Sequence, residues 1–417
     1  MTLDPVHVGG IADLAHRVTD AVDETDQTKL AERAWEEFLD PLYSADGDVI
    51  LEPIGEHRKQ KVSISDVALE VEPFATQHGL DAGTINPTTF KNGLVIDVSQ
   101  AAMAAVPSDI DLHRRRTIVM TVHTNDSSAN VPDSNWRESD AGYARRRILD
   151  APRVDRHEQI VVHALALYLA ESEHAIEYSE NVDDLLVLDG PLYPTGLLKW
   201  IERDPELERL VIERAEFTDV IGNYLSLVET FVDREIPLAG FVKNSASKAI
   251  TRELRAKTGA PWLNDQAFFR RVLERLDGNG NPRTDTLTFT GWFRSRVGTD
   301  GVIADKRVDL DRALEDEAYE VTFFVVYDPR DDLIYRIEAP YAFTRNQDVR
   351  AALTRQFLGE VARHRGPPHA VGKADELARI DLEGKETIRR RIEHVFDTGR
   401  QSNYNDKRWD PVDQTDR

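Results

Sequence analysis

Two short stretches of the 417-residue chain share one pattern: Leu94–Asp97 reads LVID and Leu186–Asp189 reads LVLD. Each is an apolar run that delivers a single carboxylate to the end of a strand, ahead of turn-compatible residues. A lone aspartate in that position ordinarily makes a turn or caps a helix. A matched pair reads differently. If the two strands are neighbours in one sheet, Asp97 and Asp189 converge at one sheet end, where like charges repel strongly unless a cation lies between them. The chain has no cysteine, so hard oxygen ligands remain, and they suit Mg²⁺ or Mn²⁺. Two carboxylate-held ions are the natural apparatus for phosphodiester hydrolysis, one activating water and the other stabilising the leaving oxygen.

Such a centre needs further acidic ligands. The clearest helix of the chain, predicted over Arg156–Tyr178, has Ile160, Ala164, Leu167, Tyr168 and Ala175 along one stripe. Glu171 follows Leu167 and Tyr168 at i+4 and i+3, so it extends that stripe toward the sheet. Glu158 and Glu173 are the alternative helix ligands. Candidate phosphate contacts are local clusters: Arg114 to Arg116 beside a strand, Lys243 and Lys248 after the apolar strand IPLAGF, and Arg294 with Arg296. Lysines number only 12 among 52 basic residues, which makes a strand-end lysine such as Lys243 a good candidate to neutralise a phosphate. No GxxxxGK[ST] loop, no GxGxxG after a strand, no HExxH and no GxSxG is present, so nucleotide, zinc-peptidase and serine-hydrolase readings have no support.

The elements that must position these residues follow an α/β order. Residues 1–60 read as an N-terminal, mainly helical segment. Strands are predicted at Gly93–Ser99 and Arg116–Thr124, with a turn and a short middle strand between them. Residues 125–150 read as a polar loop leading into the long helix. Next come a strand at Leu185–Leu188, helices around Glu206–Val232 and a strand at Ile236–Asn244. Strands at Thr286–Arg294, Glu320–Tyr327 and Leu333–Glu338 follow, then helices at Gln347–Arg363 and Lys385–Phe396, and a disordered tail from 399 to 417. The first strands are close enough to pair as a meander, so the sheet is expected to be mixed, in a domain spanning 61–398. The net charge of −23 with few lysines points to a surface adapted to molar salt, where the Debye length falls to about 3 Å and local arginine clusters outweigh global repulsion. No apolar run is long enough for a membrane span, and the N-terminus lacks a signal-peptide pattern, so a cytoplasmic protein is expected.

With Asp97, the helix and Asp189 in that order, the chain resembles the NurA family, nucleases of archaeal DNA double-strand-break repair. GLVIDVSQAAM is similar to the family's first-strand aspartate motif, LLVLDGPLYP to its DGxL motif, AGFVKNSASK to its lysine-bearing strand, and YRIEAP with GPPHAVGKADELARI to its C-terminal motif. The resemblance runs from Thr84 to Ile380. It departs in the C-terminal motif, where Pro367 stands at a tyrosine position and Asp375 at a histidine position. A tyrosine role therefore does not carry over, and His369 is the nearest substitute proton donor. The resemblance implies an RNase H-like mixed sheet flanked by helices. It also implies a metal shell of Asp97, Glu171, Asp189 and Asp375 holding two Mn²⁺ or Mg²⁺ ions, and DNA contacts from Lys243, Lys248, Arg114 and Arg116. The implied activity is 5′-to-3′ exonuclease and single-strand endonuclease action by a homodimer working with a hexameric HerA-type helicase in DNA end resection. Together with the composition, it implies a haloarchaeal source. The competing expectation is a non-catalytic RNase H-like adaptor or clamp that regulates a helicase motor.

Overall fold

A computed structural model describes residues 4–19, 24–132, 135–139, 141–245, 247–304 and 306–401. Most of the expected tail lies outside the described residues. The strands that matter for the site are β1 (Gln77–Thr84), β2 (Leu94–Val106), β3 (Arg116–Thr124), β4 (Ala144–Asp150), β5 (Leu186–Leu188), β6 (Leu238–Val242), β7 (Val321–Asp328) and β8 (Leu333–Pro340). They lie side by side in the order β7-β8-β6-β5-β1-β2-β3-β4 within one 15-stranded sheet of the described residues. β5 runs parallel to both β1 and β6, and β4 parallel to β3, whereas β1–β2, β2–β3, β6–β8 and β7–β8 are antiparallel. The sheet is therefore mixed, as the element order predicts. Residues 42–63 carry short strands, of which Val49–Pro53 pairs with Phe293–Ser295 and extends the sheet beyond β7. Among the described residues no helix is long and apolar enough to cross a membrane.

The two faces of the sheet are covered by different helices. Helix α1 (Glu158–Glu177) lies on β1, β2 and β3, and α2 (Ala215–Asp233) packs against α1. On the opposite face α3 (Gln347–His364) and α4 (His369–Ala378) close the core, α4 resting on β1 and β2. The buried register of α1 runs through Val161, Leu165 and Leu169, and Ile160 is exposed, so the predicted stripe is rotated. α1 is buried on more than one face because α2 covers the side away from the sheet, which removes the polar stripe that a surface helix would show.

Three local expectations are corrected. β2 is one continuous strand of 13 residues, not a strand, a turn and a second strand. The run AAMAAV has little intrinsic strand preference, but it is sandwiched between α1 and α4, and burial on both faces outweighs propensity. Asp97 therefore sits inside a strand, not at its end. Residues 144–150 form β4 instead of a loop. Its three consecutive arginines look unsuited to a sheet, yet Arg145 is buried between Glu173 and Glu177 and stacks on Trp136, 4.3 Å from the ring centre.

Candidate active site

The site begins with a gap in the sheet. β5 is three residues long and pairs with β1 only from His78 to Leu80 and with β6 only from Leu238 to Gly240. Beyond Leu188 the ladder pairing of β5 with its two neighbours ends, and the place where it ends is termed the notch. Asp189 is the first residue past the end of β5. Its backbone N–H donates to the Leu80 carbonyl at 2.9 Å, which locks it beside the next residue of β1, Asp81. Gly190 then adopts φ +138°, a conformation that favours glycine, and turns the chain away.

Asp81 is the residue that sequence reasoning missed. It lies in HGLDAGT, where Gly79, Asp81 and Gly83 share one face of β1 by strand alternation. A Cβ on Gly79 would come within 2.3 Å of the Ala370 backbone, and one on Gly83 within 2.2 Å of the Ala378 carbonyl oxygen. The two glycines thus let α4 rest directly on the strand on either side of Asp81. That close approach brings Asp375, midway along α4, into the field of Asp81 and Asp189. Glu171 enters from the other face on α1 and feels both Asp81 and Asp189.

The electrostatics follow from this crowding. Burial first, then Asp189 and Asp375, push the Asp81 carboxyl up to about 7. Burial, Asp81 and Asp189 push Glu171 up to about 8, against a lowering hydrogen bond from Tyr224. Asp189 is also raised by burial, although Lys243 opposes the shift with an Nζ–Oδ2 contact of 2.7 Å. Asp81, Glu171 and Asp189 are thus each raised, with Lys243 the opposing ammonium beside Asp189; Asp375 is paired with Arg379 Nη2 at 2.9 Å. All-oxygen donors of this kind suit a hard divalent cation by their chemistry, although among the described residues no three of them have ligand atoms within 4.8 Å of one another.

Asp97 is elsewhere. β1–β2 pairing sets Asp81 opposite Ala102, so Asp97 lies five residues further along β2, about 17 Å away. Its carboxylate is fully buried and accepts from Thr84 Oγ1 at 2.6 Å and from His163 Nδ1 at 2.7 Å on the α1 face. The structure therefore sets Lys243 against Asp189 and places Glu171 and Asp375 within electrostatic reach of Asp189; it does not bring Asp97 to them, and Asp81 occupies the place expected for it. Of the alternative helix ligands, Glu173 is spent on Arg145 at 2.7 Å, and Glu158 opens α1, about 20 Å along the axis from Glu171.

The expected phosphate contacts divide. Lys243 stands in the notch. Lys248 is exposed at the start of a different helix, in a cleft with Lys199 and Arg252. Arg116 donates to the His113 and Arg115 carbonyls, and Arg114 is exposed against Tyr143. Arg294 and Arg296 are occupied by Glu52 and Glu320. His369 opens α4 and donates its backbone N–H to Glu360, about 9 Å along the helix from Asp375. A separate group, His157, Asp204 and Glu206, has ligand atoms within 4.8 Å of one another. There Arg156 already bridges both carboxylates, and Asp204 caps the following helix.

A family model, the NurA domain, matches residues 75–380, from just before β1 to just after α4. The chain belongs to the NurA family. The matched span contains Asp81, Glu171, Asp189, Lys243 and Asp375. Among solved structures, the NurA nuclease from Sulfolobus solfataricus aligns with 98% of this chain and 100% of its own at 11% identity and a TM-score of 0.50, a likeness of fold. A NurA bound to dAMP and manganese aligns over 94% of this chain and 97% of its own, at 11% identity and a TM-score of 0.41. No curated protein sequence matches the chain.

Proposed function

We propose that this NurA-family chain is a divalent-metal-dependent deoxyribonuclease whose centre is the notch beyond β5. The observation that carries the reading is that Asp81 and Glu171, raised to about 7 and 8, lie in the field of Asp189 beside the β5 end, with Asp375 acting on Asp81 and Asp189. Carboxyls raised in this way are costly to ionise unless a cation accompanies them. Asp81, Glu171, Asp189 and Asp375 would hold the two Mn²⁺ or Mg²⁺ ions. Bound cations of this kind polarise the scissile phosphate and lower the pKa of an attacking water.

The chain's own residues supply the rest. Lys243, beside Asp189 and 40% exposed, can hold a non-bridging phosphate oxygen. Tyr224 donates to Glu171 and so restrains that carboxyl. By the family resemblance the substrate is a DNA strand. Exonuclease polarity, single-strand endonuclease action, homodimer formation and partnership with a HerA-type helicase belong to the same proposal.

The test is cleavage of end-labelled DNA with and without Mn²⁺ in molar salt, by wild type, Asp81→Asn and Asp189→Asn. Loss of at least about 100-fold in rate is expected for both variants. Folded variants that cut as well as wild type would remove the centre. A wild-type protein that neither cuts nor takes up Mn²⁺ would favour the adaptor reading, which the replaced tyrosine and histidine positions of the C-terminal motif support.

A further inference from the structure

We propose that Glu338, on β8, is a positioning residue that holds the Asp189 turn in register from behind, through the backbone N–H of Leu192. The proposal rests on the reading of the notch as a metal centre. After Asp189 the chain runs Gly190, Pro191, Leu192. Proline has no N–H, so past Gly190 the first donor available to anchor the turn is that of Leu192. Leu192 is buried, and a buried amide without an acceptor is strongly disfavoured. Its N–H donates to Glu338 Oε2 at 2.9 Å.

The surroundings are built for this contact. β6 separates β5 from β8, and Gly240 of β6 pairs with Leu188 on one side and with Glu338 on the other. A Cβ on Gly240 would lie 2.6 Å from the Gly190 carbonyl oxygen and 2.8 Å from the Leu192 nitrogen. The missing side chain is what lets the turn fold back over β6 and reach Glu338. Glu338 is itself held by Arg336 at 2.8 Å, and Arg336 by Asp300 at 2.6 Å, which also accepts from Ser295 at 2.6 Å. This buried charge chain is expensive to desolvate and contributes little net stability compared with apolar packing. Its specific product is a fixed, charge-balanced acceptor. The turn is thus held at both ends, at Asp189 by the Leu80 carbonyl and at Leu192 by Glu338.

Two conservative variants separate positioning from simple ion pairing. Glu338→Gln keeps length and an acceptor oxygen but loses the charge facing Arg336. Glu338→Asp keeps the charge but withdraws the acceptor by one methylene. Mn²⁺ binding to the full chain is measured by calorimetry beside wild type and Asp81→Asn, with circular dichroism to confirm folding and kcat and KM on labelled single-stranded DNA. The expected order is wild type close to Glu338→Gln, with Glu338→Asp binding Mn²⁺ about tenfold more weakly and losing kcat more than KM. Wild-type affinity in both variants, or the reverse order, would overturn the proposal. Unchanged Mn²⁺ binding in Asp81→Asn would instead show that the notch is not the metal centre, and the proposal would fall with it.

Discussion

A metal-free protein should be strained by its own centre, and Glu171→Gln should reveal this as a pH-dependent gain in stability. Burial and the neighbouring Asp81 and Asp189 raise Glu171 from 4.5 to about 8. The folded chain therefore keeps a proton that the unfolded chain releases. The associated stability is fully present below about pH 4.5 and is lost as pH rises through about 8. Between pH 6 and pH 9 roughly two pKa units of that loss develop, about 3 kcal/mol at 1.36 kcal/mol per unit. A chain of 417 residues unfolds with an entropy of roughly 0.9 kcal/mol/K, so the loss corresponds to about 3 °C in Tm. Glutamine is nearly the same shape and carries no titratable proton. In chelator and at fixed salt, Glu171→Gln minus wild type should therefore move about 3 °C in the variant's favour from pH 6 to pH 9, read by thermal melts. Saturating Mn²⁺ should largely cancel the difference at pH 9, because a ligand at 100 times its Kd stabilises wild type by about 2.7 kcal/mol. A Tm difference that is flat with pH would refute the crowding on which the site rests.

Other outcomes follow from the same geometry. Gly79→Ala would drive a methyl group into the Ala370 backbone at 2.3 Å; it should lower stability by about 1–3 kcal/mol and weaken Mn²⁺ binding as α4 carries Asp375 away, both measurable by melts and calorimetry. Lys243→Met removes the ammonium 2.7 Å from Asp189; Mn²⁺ affinity should hold or rise while KM for labelled DNA increases. Asp97→Asn disturbs only the buried contacts with Thr84 and His163. It should cost about 1–3 kcal/mol in a denaturant melt and leave Mn²⁺ affinity intact, and a collapse of that affinity would place Asp97 in the centre after all.

Much of this arrangement was legible in the sequence. Asp189 announced itself because β5 is a pure apolar run ending on a charge and a Gly-Pro turn. Lys243 followed from strand position, whereas Glu171 was named from a stripe that the structure rotates. Asp81 was not legible by the same rule: HGLDAGT holds one large apolar residue, and its strand exists because glycines admit α4 at backbone distance. That is a tertiary fact which no propensity encodes, although an aspartate flanked by glycines at i−2 and i+2 is a usable sign of it. Asp97 misled for the complementary reason. LVID has the pattern of a strand-end carboxylate, but β2 continues through AAMAAV, and its buried charge is answered locally by His163 and Thr84. The role of Glu338 depends on three strands lying in register, which a linear reading could not supply.

The most direct test is a crystal soaked in Mn²⁺ and measured at the manganese absorption edge. Anomalous peaks within about 2–2.5 Å of carboxylate oxygens of Asp81 and Asp189 are expected, with Glu171 or Asp375 completing the shell and Lys243 turned away from Asp189. Peaks confined to His157, Asp204 and Glu206, or lying against Asp97 with the notch empty, would contradict the account.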